Sequence, residues 1–125
     1  MKHKQLLLTF FFLACFQTSA QSTPVEQYLK ACRDGDSDTA LCCLKNNNTR
    51  SLQLTSQTDL HGLTGLMLAE SMGHDKTVKA ILRFHQEHEI LMRDNSRRYT
   101  ARAWAEYHNQ EMCAILLPEE DYLRN

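Results

Sequence analysis

Between Asp59 and Leu82 the chain carries a spacing that few folds satisfy. Asp59-x-x-Gly62-x-Thr64 opens it, Gly65-Leu66 follows, Ala69 stands five past the threonine, Gly73-His74 interrupts the run, and Val78, Ile81 and Leu82 close it. Gly62 suits the positive φ of a tight turn. Thr64 suits the start of a helix, where its hydroxyl accepts from a free backbone N–H. Leu66 and Ala69 lie three apart and so share a helix face. Gly73 is placed to end that helix in the left-handed conformation. Val78, Ile81 and Leu82 repeat at i, i+3, i+4, the stripe of a second amphipathic helix. The reading is turn, short helix, reversal, second helix. Two such helices cannot bury their faces alone, so copies must stack on them.

Weaker copies flank the unit. Upstream, Ala31 precedes Gly35 by four residues, as Ala69 precedes Gly73, and Ala40, Cys43 and Leu44 supply the second stripe. Downstream, Thr100 to Ala105 repeats the Thr64 to Ala69 spacing, Asn109 stands in the place of Gly73, and Arg98 in that of the turn glycine. Met112, Ile115 and Leu116 carry the third stripe, and Pro118 ends it. The reversal positions 35, 73 and 109 are therefore 38 and 36 residues apart.

These residues resemble the ankyrin repeat family, whose period is about 33 residues. The resemblance covers about ninety residues. It implies an all-α solenoid of stacked antiparallel helix pairs with inter-repeat turns, in three repeats at roughly 25–58, 59–94 and 95–125. Gly65 and Met67 depart from the family's usual proline and histidine, and a long polar connection runs from Lys45 to Thr58. A generic array of helical hairpins, tetratricopeptide-like, is the competing architecture, but the Asp-x-x-Gly-x-Thr turn gives it no support.

The first twenty residues have another character. Lys2-His3-Lys4 is basic, Leu6 to Phe16 is apolar apart from Thr9, and Thr18-Ser19-Ala20 offers small residues for cleavage. This is the pattern of a secretory signal peptide at 1–20, leaving 21–125 as the repeat domain in the periplasm or outside the cell. Removing Lys2 and Lys4 from fourteen Lys and Arg leaves twelve against fifteen Asp and Glu, a net charge of −3. A competing reading takes Cys15 as a lipoprotein site, which would tether the domain as a lipid-anchored structural spacer.

Four cysteines remain, Cys32, Cys42, Cys43 and Cys113, in a compartment that permits disulfides. Two readings stay open: small buried thiols at helix interfaces, or one bridge within the first repeat, Cys32 with Cys43 or its neighbour. Asn47-Asn48-Thr49 is a glycosylation sequon, meaningful only in a eukaryotic secretory pathway.

No nucleophile elbow, phosphate-cradling loop or metalloprotease helix is present, so no catalytic residue and no cofactor is expected. His85 and His88, three apart, are read at a helix end; they define a minor alternative as a metal-binding protein. His74 matches a family position that caps the second helix, and Trp104 is read as core. The acidic balance disfavours nucleic acid, so the cluster Arg93, Arg97, Arg98 and Arg102 is either a solvated face or a patch for an acidic partner.

The resemblance implies binding of another protein through the concave side, by turn tips and the exposed flank of each first helix. Carried over residue by residue, those places are Arg33 and Asp34 in the first repeat. In the second they are Leu60, His61, Leu63, Ser71 and Met72, and in the third Ser96, Arg97, Tyr99, Tyr107 and His108. Leu63 and Tyr99 have a second reading, as residues that pack the turns together. The expected role is a non-enzymatic exported binding module, an immunity-type inhibitor or a protective helper of a periplasmic protein.

Overall fold

The computed structural model describes residues 22–47 and 53–117. The segment read as a signal peptide, Cys15, the Asn48-Thr49 part of the sequon and everything from Pro118 onward lie outside them. Among the described residues the chain is all-helical, with seven α-helices, one 3-10 turn and an isolated bridge between Thr58 and Thr64.

Six of the helices form three antiparallel pairs: α1 (Pro24–Asp34) with α2 (Ser37–Asn47), α3 (Gly65–Ser71) with α4 (Asp75–Leu82), and α6 (Ala101–Tyr107) with α7 (Glu111–Ala114). Each first helix starts on a threonine. Thr23 Oγ1 accepts from Glu26 N at 3.1 Å, Thr64 Oγ1 from Met67 N at 3.2 Å and Thr100 Oγ1 from Ala103 N at 3.3 Å. Each cap satisfies one of the amides that a helix start leaves open, worth about 1 kcal/mol. Met67 also turns its sulfur back to the Thr64 amide.

Each pair reverses with one residue in the left-handed conformation: Gly35 at φ +77°, Gly73 at +76° and Asn109 at +58°. The amide just after it bonds back to an alanine carbonyl, Asp36 to Ala31 at 2.9 Å, His74 to Ala69 at 3.0 Å and Gln110 to Ala105 at 2.8 Å. This is the closure that satisfies orphan carbonyls at a helix end. The three alanines are buried, and their small side chains let helices approach. First helices pack in the order α1, α3, α6, and the second helices α2, α4 and α7 lie in a parallel row. Tyr28, Leu66, Met67, Val78, Ile81 and Leu117 fill the space between the rows.

Successive pairs also interlock through polar side chains. His74 holds the N-cap position of α4, but its ring makes no capping bond there. It reaches instead to the first pair, where Nε2 donates to the Arg33 carbonyl at 2.9 Å. The ring lies directly over Gly35, and a Cβ at that glycine would come within 2.7 Å of His74 Nδ1. In the same way the Gln110 carboxamide covers Gly73. Ser37 and Thr77 add a hydroxyl–hydroxyl bond of 2.8 Å between α2 and α4.

Several features depart from the sequence expectation. Within the polar connection Lys45–Thr58, α2 runs on to Asn47, and Leu54–Ser56 forms a 3-10 turn whose Leu54 is fully buried. An additional short helix, α5 (Glu87–Ile90), follows α4. Its Glu89 is buried, accepts from Gln86 N at 2.9 Å and takes a hydrogen bond from the Thr55 hydroxyl of the 3-10 turn. His85 and His88 therefore do not share the end of one helix. His85 lies between α4 and α5 with Nδ1 donating to the Ile81 carbonyl at 3.0 Å, and burial lowers its pKa although the Ile81 bond and Glu89 pull the other way. His88 is exposed. Among the described residues no three or more His, Cys, Asp or Glu are grouped to hold a metal.

The Cys32–Cys43 bridge is not formed. All four described cysteines are free thiols, with Cys32, Cys43 and Cys113 buried and Cys42 exposed. Cys32 packs against the second pair: a Cβ at Gly65 would lie 2.8 Å from its sulfur. Burial pushes its pKa up to about 12, against a lowering bond to Tyr28, so the thiolate needed for exchange is strongly disfavoured.

Candidate partner surface

Two buried or half-buried aspartates shape the turns that enter the second and third pairs. Asp59 Oδ1 accepts from His61 N and Leu63 N, both at 2.9 Å, while Asp59 N bonds the Leu63 carbonyl at 3.0 Å. The loop so closed throws Leu60 outward, where it is 98% exposed, and turns Leu63 inward against the core. His61 is exposed beside Leu60.

Asp94 does the same for a turn one residue longer. Oδ2 accepts from Ser96 N, Ser96 Oγ and Arg97 N at 2.8–3.0 Å, Oδ1 accepts from Tyr99 N at 2.6 Å, and Asp94 N bonds the Tyr99 carbonyl. Burial would raise this carboxyl, but the bonds from Arg97, Ser96 and Tyr99 outweigh it and hold the pKa at about 2. The loop leaves Ser96, Arg97 and Arg98 exposed. Arg98 takes φ +60°, the conformation that Gly62 provides in the second pair.

At the far end of α6 the aromatic residues gather. Tyr99 lies 5.3 Å from Trp104 and 5.9 Å from Tyr107 between ring centroids. Trp104 meets Tyr107 edge-on at 6.0 Å and stacks on His108 at 5.8 Å and 14°. Tyr107 and His108 are 5.1 Å apart. The Arg97 guanidinium lies over Tyr107 at 4.7 Å and within 6.0 Å of Tyr99. Edge-on and offset ring pairs at these distances are the attractive arrangements, and the cation adds to them. Tyr107 is half exposed and His108 exposed, while Tyr99 and Trp104 are half-buried beneath.

Four of the expected residues, Arg97, Tyr99, Tyr107 and His108, are thus brought into one contact cluster. Tyr99 packs the turn through Asp94, one of its two readings, and its ring floors the cluster. Trp104, read as core, packs half-buried against the hydrophobic core and also forms the base of this surface patch; its spacing of three and four to Tyr107 and His108 on one helix was the signal for the second role.

Arg33, Asp34 and Leu60 meet elsewhere. They line an open groove of about 930 Å³ beside α1, together with Val25, Leu29 and Thr58. Ser71 and Met72 occupy in the second pair the place of Tyr107 and His108 in the third. Ser71 is half-buried with its hydroxyl on the Leu68 carbonyl, and Met72 is 55% exposed. Arg33–Asp34, Ser71–Met72 and Tyr107–His108 each stand immediately before the left-handed residue of their pair, so they form equivalent points along the array. Polarity changes along that row from charged, through mixed, to aromatic.

Among the described residues no helix is long and apolar enough to cross a membrane. Comparisons of the chain with protein-family models, with curated proteins and with solved structures found no match to any of them.

Proposed function

We propose that this chain is an exported, non-enzymatic, protein-binding module built as a three-repeat ankyrin-type solenoid. The ankyrin reading is supported by the threonine caps, the left-handed reversals at 35, 73 and 109, and the parallel rows of first and second helices. Export to the periplasm or the cell exterior is supported by the pattern of residues 1–20 alone.

The observation that carries binding is the cluster of Tyr99, Trp104, Tyr107 and His108 with Arg97 laid on it. Aromatic residues and arginine are the types that anchor protein interfaces, and here they are preassembled by contacts with one another rather than dispersed. Preassembly lowers the entropy lost on binding. The exposed Leu60 and the groove beside Arg33 and Asp34 are a second part of the expected surface, next to the first pair. A module of this kind acts by covering part of its partner, as an inhibitor of an immunity type or as a protective helper.

The test is affinity capture from exported proteins with wild type and with a Leu60→Asp, Tyr107→Asp double variant. The expected outcome is a partner retained by the first and lost by the second, with unchanged far-UV circular dichroism because both side chains are exposed. A loss of more than about 2 kcal/mol of affinity is expected if either is an anchor. Equal retention would move binding off this face.

A further inference from the structure

The Arg97 guanidinium is held by aromatic rings, and its hydrogen-bonding edge is left open. It lies on Tyr107 and beside Tyr99, yet among the described residues neither Arg97 nor Arg98 meets a carboxylate. Arg102, four residues on, is in contrast committed to Glu106 at 2.9 Å and to the carbonyls of Ala114 and Leu117. A guanidinium stacked on a ring keeps its donors in the ring plane, aimed sideways, as a preset fork for a planar anion.

Arg98 adds a second, independent sign. A non-glycine residue at φ +60° carries a local cost that glycine at the corresponding turn position does not. Arg93 Nη1 donates to the Arg98 carbonyl at 2.8 Å and pins that conformation. The loop thus bears a strained backbone at a second exposed arginine adjacent in sequence to the first.

We propose that this loop and the aromatic cluster form a receptor for an acidic segment of the partner protein, in which carboxylates flank an apolar side chain. The carboxylates pair with Arg97 and Arg98, and the apolar side chain lies on Tyr107 and His108. A peptide carboxylate fits better than a phosphate, because the loop has no amide nest left for a tetrahedral anion. The N–H groups of Ser96, Arg97 and Tyr99 already point at Asp94. At the start of α6 the Ala103 amide is likewise engaged by Thr100. The guanidinium edges remain as the donors, and their planar geometry matches a carboxylate. Charge complementarity sets the sign of the partner: among the described residues Glu106, on the same helix, is already paired with Arg102.

This inference rests on the protein-binding reading and names the chemistry of the partner. Its test uses fluorescence anisotropy on the full chain with three probes: a short peptide alternating glutamates with leucine and phenylalanine, the same peptide with lysines for glutamates, and a single-stranded oligodeoxynucleotide. The acidic peptide is expected to bind and the lysine peptide not to. Arg97→Glu should weaken binding at least about tenfold and Arg97→Lys several-fold, since lysine keeps the charge but loses the fork. Affinity should fall as salt rises. Circular dichroism of both variants checks that the fold persists, and Arg97→Lys serves should Arg97→Glu misfold.

Failure of the acidic peptide to bind, or equal binding by both variants, overturns the acidic-partner assignment. Tighter binding of the oligonucleotide overturns it in favour of a nucleic-acid surface. In either case the protein-binding reading is judged separately, by capture with the Leu60 and Tyr107 variants, in which no arginine is altered.

Discussion

The second and third helix pairs reverse direction with the same backbone and different residues. Gly73 and Asn109 both take a left-handed φ, and the amide after each bonds back five residues to an alanine carbonyl. What differs is what lies on top. Gln110 covers Gly73 so closely that a Cβ would collide with it, just as His74 covers Gly35. Asn109 is exposed and carries a side chain without penalty beyond its φ, which asparagine tolerates better than most residues. Glycine is thus required where a following pair docks, and the turn alone does not demand it.

A second matched position teaches the same lesson with charge. The residue after the buried alanine is Glu70 in the second pair and Glu106 in the third. Glu106 is 58% exposed and pairs with Arg102, whereas Glu70 is fully buried with neither carboxylate oxygen hydrogen-bonded. Burial raises the Glu70 pKa to about 8, although Arg102 pulls it down. The docked third pair thus buries one glutamate without a partner, which favours its protonated form, while the matched glutamate stays exposed and paired.

The largest expected effect comes from placing valine at both reversals. Gly73→Val meets the left-handed strain, about 1–2 kcal/mol, and the collision with Gln110, about 1–3 kcal/mol more. Asn109→Val meets the strain alone. Denaturant unfolding should therefore show Gly73→Val the more destabilised by the overpacking increment. Equal losses would mean that docking contributes nothing to the choice of glycine.

Next in size is the pair of turn aspartates. Asp94→Ala strands the amides of Ser96, Arg97 and Tyr99 and should cost about 2–3 kcal/mol, more than Asp59→Ala, which frees two amides. The sign with pH follows from the lowered pKa. The Asp94 contribution is full above the ordinary value of 3.8 and is lost as pH falls toward about 2. Asp94→Asn should flatten that acid limb of the stability curve; an unchanged limb would assign it to other groups.

Smallest is the effect of Glu70. Its folded pKa lies above the ordinary 4.5, so its neutral form favours the fold below that value and stability declines as pH climbs through about 8. Glu70→Gln should remove most of this decline and leave a variant more stable than wild type at pH 9 by about 1–2 kcal/mol. Thermal melts across pH measure it; an undiminished decline in Glu70→Gln would assign it to other groups.

Much of the helical order was legible from spacing, because reversals and caps are local. Positions 35, 73 and 109 all reverse the chain, and Thr64 and Thr100 both cap, as their neighbours in sequence require. The unread parts depend on contacts distant in sequence. Leu54 and Thr55 looked like members of a polar linker, and only the approach of Glu89, thirty-four residues away, buries Thr55 with it. The α5 helix is four residues long, too short for any periodic stripe. Of the surface, the choice of Arg97, Tyr99, Tyr107 and His108 was legible as repeat position; their mutual contact through Trp104 was not, since a lone tryptophan on a helix reads equally as core. The Cys32 thiol packs against Gly65 of the second pair, a contact that the helix period alone leaves undetermined.

The His74 ring seated over Gly35, and Gln110 over Gly73, amount to a directional coupling like a peg and socket. Each pair offers a socket to the one after it and a peg to the one before. The third pair carries its peg, Gln110, but at its own socket the Asn109 side chain fills the space that Gly35 and Gly73 leave open. Another molecule stacked end to end in this register would find that seat occupied. The size of the residue at a reversal thus sets whether that pair can accept a peg at all.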